Sequence, residues 1–383
     1  MAVKVLHFST HGEDCGIGKY QEMFLEAMAD SKDIKNEFFD VSPNRIRTMN
    51  SDDKQKVYAQ LVEQLKDFDI LHVQHEFSFY PMDEFLRACQ AAKQAGKKLV
   101  VTLHTAPSVA FTPARRVGIA PRSILHYLRA KKKEAFYQKY FVDALLIADL
   151  ILVHNTVTKN GLLNLGIHEA KVKEIVIPVP DIDFAPKSTE IATMLRRQEG
   201  DIIYATTGFL HRFKGVDHAI KALSLLPENY KLAIVGGMHQ DHDHAIYNDL
   251  TDLIIGLGLQ ERVYITGFVE DDARLNALIR ECNVCVYPYE KVYYSNVSSA
   301  ALNNAFANHV PVIAYPTASF RQLSGSKDYL NLTQAFSYYE LARELRRIDI
   351  PKATMKSTEF SKQYSYKVIA STLGQIYQDV HTT

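Results

Sequence analysis

Short apolar runs alternate with longer segments of helical periodicity along the whole chain. In the first half, the apolar runs predict strands at 3–8, 37–41, 70–74, 98–103 and 150–153, and the periodic segments predict helices at 19–29, 54–65 and 82–95. The same alternation returns after residue 187, with strands predicted at 202–206, 231–235, 263–265, 284–287 and 310–314, and helices at 218–226, 247–257, 271–281 and 298–307. Apolar strands that alternate with helices form parallel sheets covered on both faces. The pattern predicts an α/β protein with two doubly wound, Rossmann-like domains.

A proline-rich connection separates the two series. Pro178, Pro180 and Pro186 lie within nine residues, and proline breaks helices and is disfavoured in central strands. We therefore predict a boundary between residues 183 and 184. Open α/β sheets bind ligands outside the carboxyl ends of their strands, so we expect a cleft between two such domains to hold the ligand.

Composition excludes several classes of protein. The length of 383 residues suits two domains, and 47% apolar with 23% charged residues is ordinary for a soluble globular chain. Basic and acidic residues number 44 each, which excludes a globally basic nucleic-acid binder. We predict neither a signal peptide nor a membrane helix, because the first apolar run ends at His7 and no later run is long enough. A cytoplasmic location is the expectation. Cys282 and Cys285 have no second ligand pair and are predicted to be buried thiols.

Two loops that follow predicted strands could bind an anion. The loop at 10–20 places Gly16 and Gly18 at a helix start, where backbone amides can approach a negative group. The loop at 206–215 places Arg212 and Lys214 just before a helix, which suits a diphosphate. The alternatives are ordinary turn chemistry for the first loop and a solvated basic turn for the second.

Other candidates also lie at strand ends. His104 directly follows the strand 98–103, and His75 and Glu76 end the preceding strand, so these side chains are candidate polar contacts. The loop at 287–299 is rich in hydrogen-bonding groups, although good helix N-caps such as Ser299 explain part of that. The histidine-rich segment 239–244 has metal-ligand residue types, but no distant partner was found, and we interpret it as a solvated loop.

Together these pieces resemble the retaining nucleotide-sugar glycosyltransferases of family four (glycosyltransferase group 1), which have the GT-B fold with two Rossmann-like domains facing across a cleft. The resemblance covers nearly the whole chain and rests on the order and spacing of Gly16-Ile17-Gly18, 73–77, 101–104, 148–151, 208–215, 234–237, 266–269 and 311–314. It implies an acceptor-binding domain at 1–183, a donor-binding domain at 184–358, and a last helix within 359–383 that packs back on the first domain.

The resemblance also implies roles for individual residues. Arg212 and Lys214 would hold the donor diphosphate and stabilise the leaving group, and His104 would touch the donor sugar. Backbone at Phe268 and Val269 would contact the base. Gly16 and Gly18 would approach the phosphate from the first domain, and Gly208 belongs to the donor-binding set. The residues expected on the acceptor side are His75, Glu76, Arg115 and Arg116. The family is typically independent of metal, so no cofactor is expected besides the donor substrate.

The chain departs from the family pattern at several positions. Two glutamates that the family commonly carries fall on Asn296 and Asn304, which can hydrogen-bond sugar hydroxyls but without charge. With Val297 and Ser298 they complete the expected donor-binding set, and Glu290 in the same loop is a candidate for the missing carboxylate. His309 replaces the usual glycine at a left-handed helix cap, and Phe209 replaces the usual arginine after Gly208.

A basic segment between Arg115 and Lys139 interleaves many cations with apolar residues and contains one acid, Glu134. Such a segment suits an anionic membrane surface, so we hypothesise a lipid-linked acceptor and peripheral attachment at the inner membrane face. The alternatives are a solvated basic helix and an acceptor-phosphate site. No nucleic-acid partner is predicted, and the oligomeric state is undefined by the sequence.

The leading functional hypothesis is a retaining hexosyltransferase. It would move a hexose from a nucleoside diphosphate sugar to a glycan or lipid-linked saccharide, in cell-surface polysaccharide or glycoconjugate synthesis. The alternative is a degenerate GT-B binding or partner protein with little activity, because both family glutamates are asparagine. A nucleotide-sugar epimerase or a phosphorylase of the same architecture is a third possibility.

Overall fold

A computed structural model describes residues 2–11, 15–77, 79–105, 121–184, 186–238, 245–290 and 299–383. The chain divides into two compact units. Unit 1 comprises Met1–Val176 together with Tyr366–Thr383, and unit 2 comprises Ile177–Ser365.

Unit 1 is built on a parallel sheet of six strands in the order β2-β1-β3-β4-β5-β6. The strands are β1 (Val3–Phe8), β2 (Ile34–Phe38), β3 (Ile70–His75), β4 (Lys98–Leu103), β5 (Leu150–Val153) and β6 (Val172–Glu174). The helices are α1 (Gly16–Ala27), α2 (Pro43–Arg47), α3 (Ser51–Gln64), α4 (Met82–Gln94), α5 (Pro121–Leu146), α6 (Thr156–Asn164) and, after unit 2, α15 (Tyr366–Thr382). The hydrophobic core between the sheet and its helices includes Phe8, Val73, Phe85, Val101 and Phe141.

Unit 2 repeats this architecture with the strand order β12-β11-β10-β7-β8-β9, again with every pairing parallel. Its strands are β7 (Ile202–Thr207), β8 (Tyr230–Val235), β9 (Val263–Ile265), β10 (Val284–Tyr287), β11 (Val312–Ala314) and β12 (Asn331–Leu332). Its helices are α7 (Glu190–Met194), α8 (Val216–Leu223), α9 (Ala245–Gly256), α10 (Asp272–Arg280), α11 (Ala300–Ala307), α12 (Ala318–Ser324), α13 (Tyr338–Arg347) and α14 (Ile350–Gln363). The predicted fold class of two doubly wound, Rossmann-like domains is confirmed.

The boundary between the units lies seven residues before the predicted one. Asn303 donates its side-chain amide to the carbonyls of Ile177 and Pro178 at 3.0 and 3.1 Å, and Val179 N donates to Tyr364 O at 2.7 Å. These bonds attach the proline-rich segment to unit 2. The chain returns to unit 1 at Tyr366 rather than at residue 359.

Helix α15 packs its buried side chains against unit 1. Leu373, Ile376 and Tyr377 are buried, and the Tyr377 hydroxyl lies 2.7 Å from His72 Nδ1 on β3. None of the described helices combines the length and the apolar character needed to cross a bilayer.

Candidate functional site

The loops that follow β7, β8, β9 and β10 in unit 2 contact one another through their backbones. A side chain at Gly236 would overlap Gly208 O, and one at Gly237 would overlap Phe268 N. A side chain at Gly215 would overlap the carbonyl of Pro288. Hydrogen bonds from Gly208 N to Val235 O (2.9 Å) and from Leu210 N to Gly237 O (3.0 Å) hold the first two loops together. The glycines therefore allow four loops to meet at the carboxyl edge of the sheet.

Lys214 contributes a largely buried ammonium to this loop cluster. It ends a short 3₁₀ turn, Arg212–Lys214, and Gly215 follows with a left-handed φ of +64° before α8 begins. A Cβ built at Gly208 would lie 2.8 Å from Lys214 Nζ, so the ammonium lies against that glycine. Within the described chain the ammonium has no hydrogen-bond or ion-pair partner. Burial lowers the pKa of Lys214 to about 8, because the surroundings disfavour the charged form.

Arg212 points away to the surface in this structure. Its Nη2 pairs with Asp249 Oδ2 at 2.6 Å, and the two side chains are 69% and 55% exposed. An exposed ion pair of this kind contributes about 1 kcal/mol or less. Arg212 can therefore leave Asp249 for a more strongly charged group at small cost.

Phe209 and Phe268 form an exposed aromatic pair beside the glycines. Their rings stack with centroids 5.5 Å apart and an angle of 11° between the planes. The two side chains are 39% and 42% exposed, while Val269 packs against the core of unit 2. Phe209 was seen in the sequence only as a departure from the family pattern, because the stacking depends on a residue 59 positions away.

The loop after β10 lies beside the Lys214 turn. Glu290 is exposed, and its backbone N donates to Phe213 O at 2.8 Å. Ser299 caps α11 by accepting from Leu302 N, and its hydroxyl lies 3.0 Å from the Tyr289 hydroxyl. The predicted donor contacts Asn296, Val297 and Ser298 lie outside the described residues.

Two of the departures from the family pattern, Asn304 and His309, lie on α11 and just after it. Asn304 is half-buried, and in the described chain its side-chain amide forms no hydrogen bond, so it can still accept or donate to a ligand. The neighbouring Asn303 is the buried asparagine that binds Ile177 and Pro178. His309 has a φ of +58°, which confirms the predicted left-handed cap at a residue other than glycine.

In unit 1, His104 is held by hydrogen bonds on both ring nitrogens. Its Nε2 lies 2.8 Å from Gln74 Oε1, and its Nδ1 lies 3.2 Å from His154 Nε2. Burial, with smaller contributions from neighbouring histidines, holds the pKa of His104 well below its ordinary value, so the imidazole is neutral at pH 7. A contact between His104 and a donor sugar would have to replace or share one of these partners.

The His104 contacts belong to a longer buried polar network. Gln74 Nε2 donates to Gln21 Oε1 at 2.6 Å, and Gln21 Nε2 lies 2.8 Å from His7 Nδ1. Burial lowers the pKa values of His7 and His154 to about 4, so both are neutral at pH 7. The sequence signal for this network was the presence of polar residues within strands that are otherwise apolar.

The acceptor-side prediction for His75 is wrong. Its ring is fully buried among Phe77, Phe85 and Phe141, and within the described residues neither nitrogen has a hydrogen-bond partner. Side chains alternate between the two faces of a strand, and His75 lies on the face that packs against α4 and α5. Glu76 is half-buried and accepts hydrogen bonds from Phe77 N (3.0 Å) and from the Thr105 hydroxyl. Arg115 and Arg116 lie outside the described part of the chain.

The two glycines at the start of α1 are not equivalent. The Cys15 side chain caps the helix and accepts from Gly18 N at 3.2 Å, so that amide is already engaged. Gly16 is exposed, with open space beside its Cα. Of the two predicted phosphate-side positions, Gly16 is the one that remains accessible.

Open α/β sheets bind ligands outside the carboxyl ends of their strands, which is where the loop cluster of unit 2 lies. Residues 188–348 match the model of the family described as glycosyl transferases group 1. Most of unit 2 is therefore similar to the group 1 glycosyltransferases, and the resemblance stated above is confirmed. A comparison with curated protein sequences finds no match.

Solved structures similar to this chain share its fold over its full length. HepE from Anabaena in complex with UDP has a TM-score of 0.71 at 15% identity, covering 99% of this chain and 100% of HepE. Sucrose-phosphate synthase from Thermosynechococcus elongatus has a TM-score of 0.70 at 17% identity, covering 99% of each chain. A glycosyltransferase from Rickettsia africae has a TM-score of 0.67 at 15% identity, covering 99% of this chain and 98% of that one.

Proposed function

We propose that this protein transfers a hexose from a nucleoside diphosphate sugar to an acceptor, with retention of configuration at the anomeric carbon. The observation that carries the proposal is Lys214, a largely buried ammonium with no partner in the described chain, within a loop cluster built by close backbone contacts. A diphosphate beside Lys214 would supply the counter-charge, and the match of residues 188–348 to group 1 glycosyltransferases supports that ligand.

In the proposed reaction, the bond between the anomeric carbon and the diphosphate oxygen breaks as the acceptor oxygen bonds to the same face of that carbon. The acceptor proton passes to the departing phosphate oxygen. Lys214, joined by Arg212 when it leaves Asp249, would stabilise the negative charge that develops on the leaving group. These cations would do the work of a metal ion, so we propose that transfer is independent of metal.

We propose uridine diphosphate hexose as the first donor class to test. HepE, whose fold this chain shares, has been solved with UDP and with UDP-glucose. The exposed Phe209–Phe268 pair beside Gly237 offers an aromatic surface to a nucleobase. For the acceptor, we propose a glycan or lipid-linked saccharide of cell-surface polysaccharide or glycoconjugate synthesis.

The degenerate alternative rests on Asn304 and Asn296. Asn304 keeps an unbonded amide, which can hydrogen-bond a ribose hydroxyl without a charge. We therefore propose that the asparagine weakens donor binding without abolishing turnover. The variant Asn304→Glu, which restores the family residue, is the matched test of this point.

The experiment incubates the protein with UDP-glucose or UDP-galactose and a library of saccharide acceptors, in buffer with EDTA. Proton NMR identifies the anomer formed, and chromatography separates transferred sugar from altered free donor. An α-linked product from an α-linked donor, lost in Lys214→Met and kept in Lys221→Met, supports the proposal. An inverted anomer contradicts retention, and an epimerised donor without transfer favours the epimerase reading. If the wild type and Asn304→Glu both bind the donor but neither turns it over, the result favours the alternative that the protein is a degenerate GT-B binding protein.

A further inference from the structure

Among its described residues, helix α5 in unit 1 has its fully buried side chains in its C-terminal part. Phe141, Ala144 and Leu145 are fully buried, and α5 lies against α4. Between residues 123 and 140, all of the described side chains are half-buried or exposed. At a rise of about 1.5 Å per residue, this exposed part of the helix is about 27 Å long.

Large apolar side chains lie exposed along that part of the helix. Leu125, Leu128 and Phe136 are 49%, 57% and 51% exposed. With 3.6 residues per turn, these three positions fall within an arc of about 80° of the helix circumference. They form one stripe along the helix rather than scattered surface residues.

Cations share the same stripe. Arg129, Lys132 and Lys139 fall within about 100° of arc together with the three apolar residues, and all three are exposed. Over residues 121–139 the sequence holds Arg122, Arg129, Lys131, Lys132, Lys133 and Lys139 against Glu134 alone. We call the stripe formed by Leu125, Leu128, Arg129, Lys132, Phe136 and Lys139 the α5 stripe.

We propose that the α5 stripe docks this protein on an anionic membrane surface. Leu125, Leu128 and Phe136 would enter the boundary between headgroups and acyl chains, while the long stems of Arg129, Lys132 and Lys139 let their charges reach lipid phosphates. The negative surface potential of an anionic leaflet attracts these basic residues, and burial of the apolar side chains adds to this attraction.

Other occupants fit the stripe less well. A second copy of the same stripe would bring like charges together, and a nucleic acid offers phosphates but no apolar layer for the leucines and phenylalanine. The inference is independent of the donor site in unit 2. It would nevertheless place unit 1 at a surface where a lipid-linked acceptor is present.

The test is co-sedimentation of the full chain with vesicles of phosphatidylcholine alone or with about one-third phosphatidylglycerol, at low and high salt. Two variants separate the contributions: Arg129→Glu with Lys132→Glu for charge, and Leu125→Ser, Leu128→Ser and Phe136→Ser together for apolar contact. The matched control combines Met355→Ser and Val368→Ser, which remove exposed apolar side chains from α14 and α15. Thermal unfolding checks that every variant folds like the wild type, as expected for exposed positions.

We expect binding to the anionic vesicles that falls with salt, weakens at least tenfold in both stripe variants, and is unchanged in the control. Absence of binding at low salt overturns the proposal. So does equal binding to neutral vesicles, or binding that the stripe variants leave unchanged. Retention on immobilised polyglutamate without binding to vesicles also overturns it, in favour of an acidic protein partner.

Discussion

Replacing Lys214 by methionine should make the free protein more stable while removing its diphosphate site. The methionine keeps most of the apolar stem but leaves no ammonium to bury. The ordinary pKa of a lysine is 10.5, and that of Lys214 is lowered to about 8. At about 1.36 kcal/mol for each pKa unit, the protonated side chain lowers the stability of the folded state by up to about 3 kcal/mol.

The pH dependence of this effect has a definite sign. Below pH 8 both the folded and unfolded states hold the proton, so the full penalty is present in the wild type. Between pH 8 and 10.5 the folded state loses the proton first, and stability rises with pH because the unfolded state binds more protons. The stability advantage of Lys214→Met should therefore shrink from up to about 3 kcal/mol at pH 7 to near zero above pH 10.5.

Scanning calorimetry of the full chain at several pH values measures this difference. A gain of about 3 kcal/mol corresponds to a rise in Tm of about 6–12 °C for a domain of this size. Lys221→Met is the control, since Lys221 forms an exposed ion pair with Asp217 at 2.8 Å, and its loss should change stability by about 1 kcal/mol or less. If Lys214→Met lowered the Tm at pH 7, or if its effect were the same at pH 7 and pH 10, the interpretation of Lys214 as a buried and unpaired cation would be refuted.

Three further predictions address the loop cluster and the packing of the last helix. Gly215→Ala should destabilise unit 2 by several kcal/mol in calorimetry, because the new Cβ overlaps Pro288 O. The control Gly258→Ala, at a similar φ of +67° but with open space around it, should cost only about 1 kcal/mol, and equal costs would contradict the close contact. Asp249→Asn should release Arg212 and tighten UDP binding by less than tenfold in titration calorimetry, and weaker binding would show that the pair supports the site. Tyr377→Phe should lower the free energy of unfolding by about 1–3 kcal/mol, because it leaves the buried His72 Nδ1 without its partner. The exposed control Tyr339→Phe should show no measurable change, and similar Tm values for the two variants would contradict a buried hydrogen bond.

The sequence predicted the fold well because both sheets are buried on their two faces. The strands 3–8, 98–103, 150–153, 263–265 and 284–287 coincide with observed strands, since apolar runs between helical segments are typical of parallel sheets. The edge strand β6 was not predicted because Val172 is its one buried residue, and β12 was not predicted because it spans two residues. Helix α1 begins three residues before its prediction because Cys15, an unusual cap, accepts from Gly18 N.

The candidate site was predictable in place but not in detail. Loops after parallel strands meet at one edge, so the Lys214 turn and the Gly236–Gly237 loop could be assigned to the same site from order alone. Whether a lysine in such a loop is buried or solvated depends on how the backbone at Gly208 approaches it, which no local pattern encodes. His75 shows the opposite limit, because it lies in the core whereas His72, three positions earlier on β3, faces the other side of the sheet and joins the polar network.

Diphosphate recognition by Lys214 is central to the proposed function. We would measure binding of UDP, GDP, ADP and the corresponding nucleosides to the wild type, Lys214→Met and Lys221→Met by titration calorimetry at pH 7. We expect a diphosphate to bind the wild type and Lys221→Met, and its nucleoside to bind both far more weakly. In Lys214→Met, the diphosphate and the nucleoside should bind with similar affinity. Equal affinity of Lys214→Met for the diphosphate, or no binding of any diphosphate by the wild type at millimolar concentration, would contradict it.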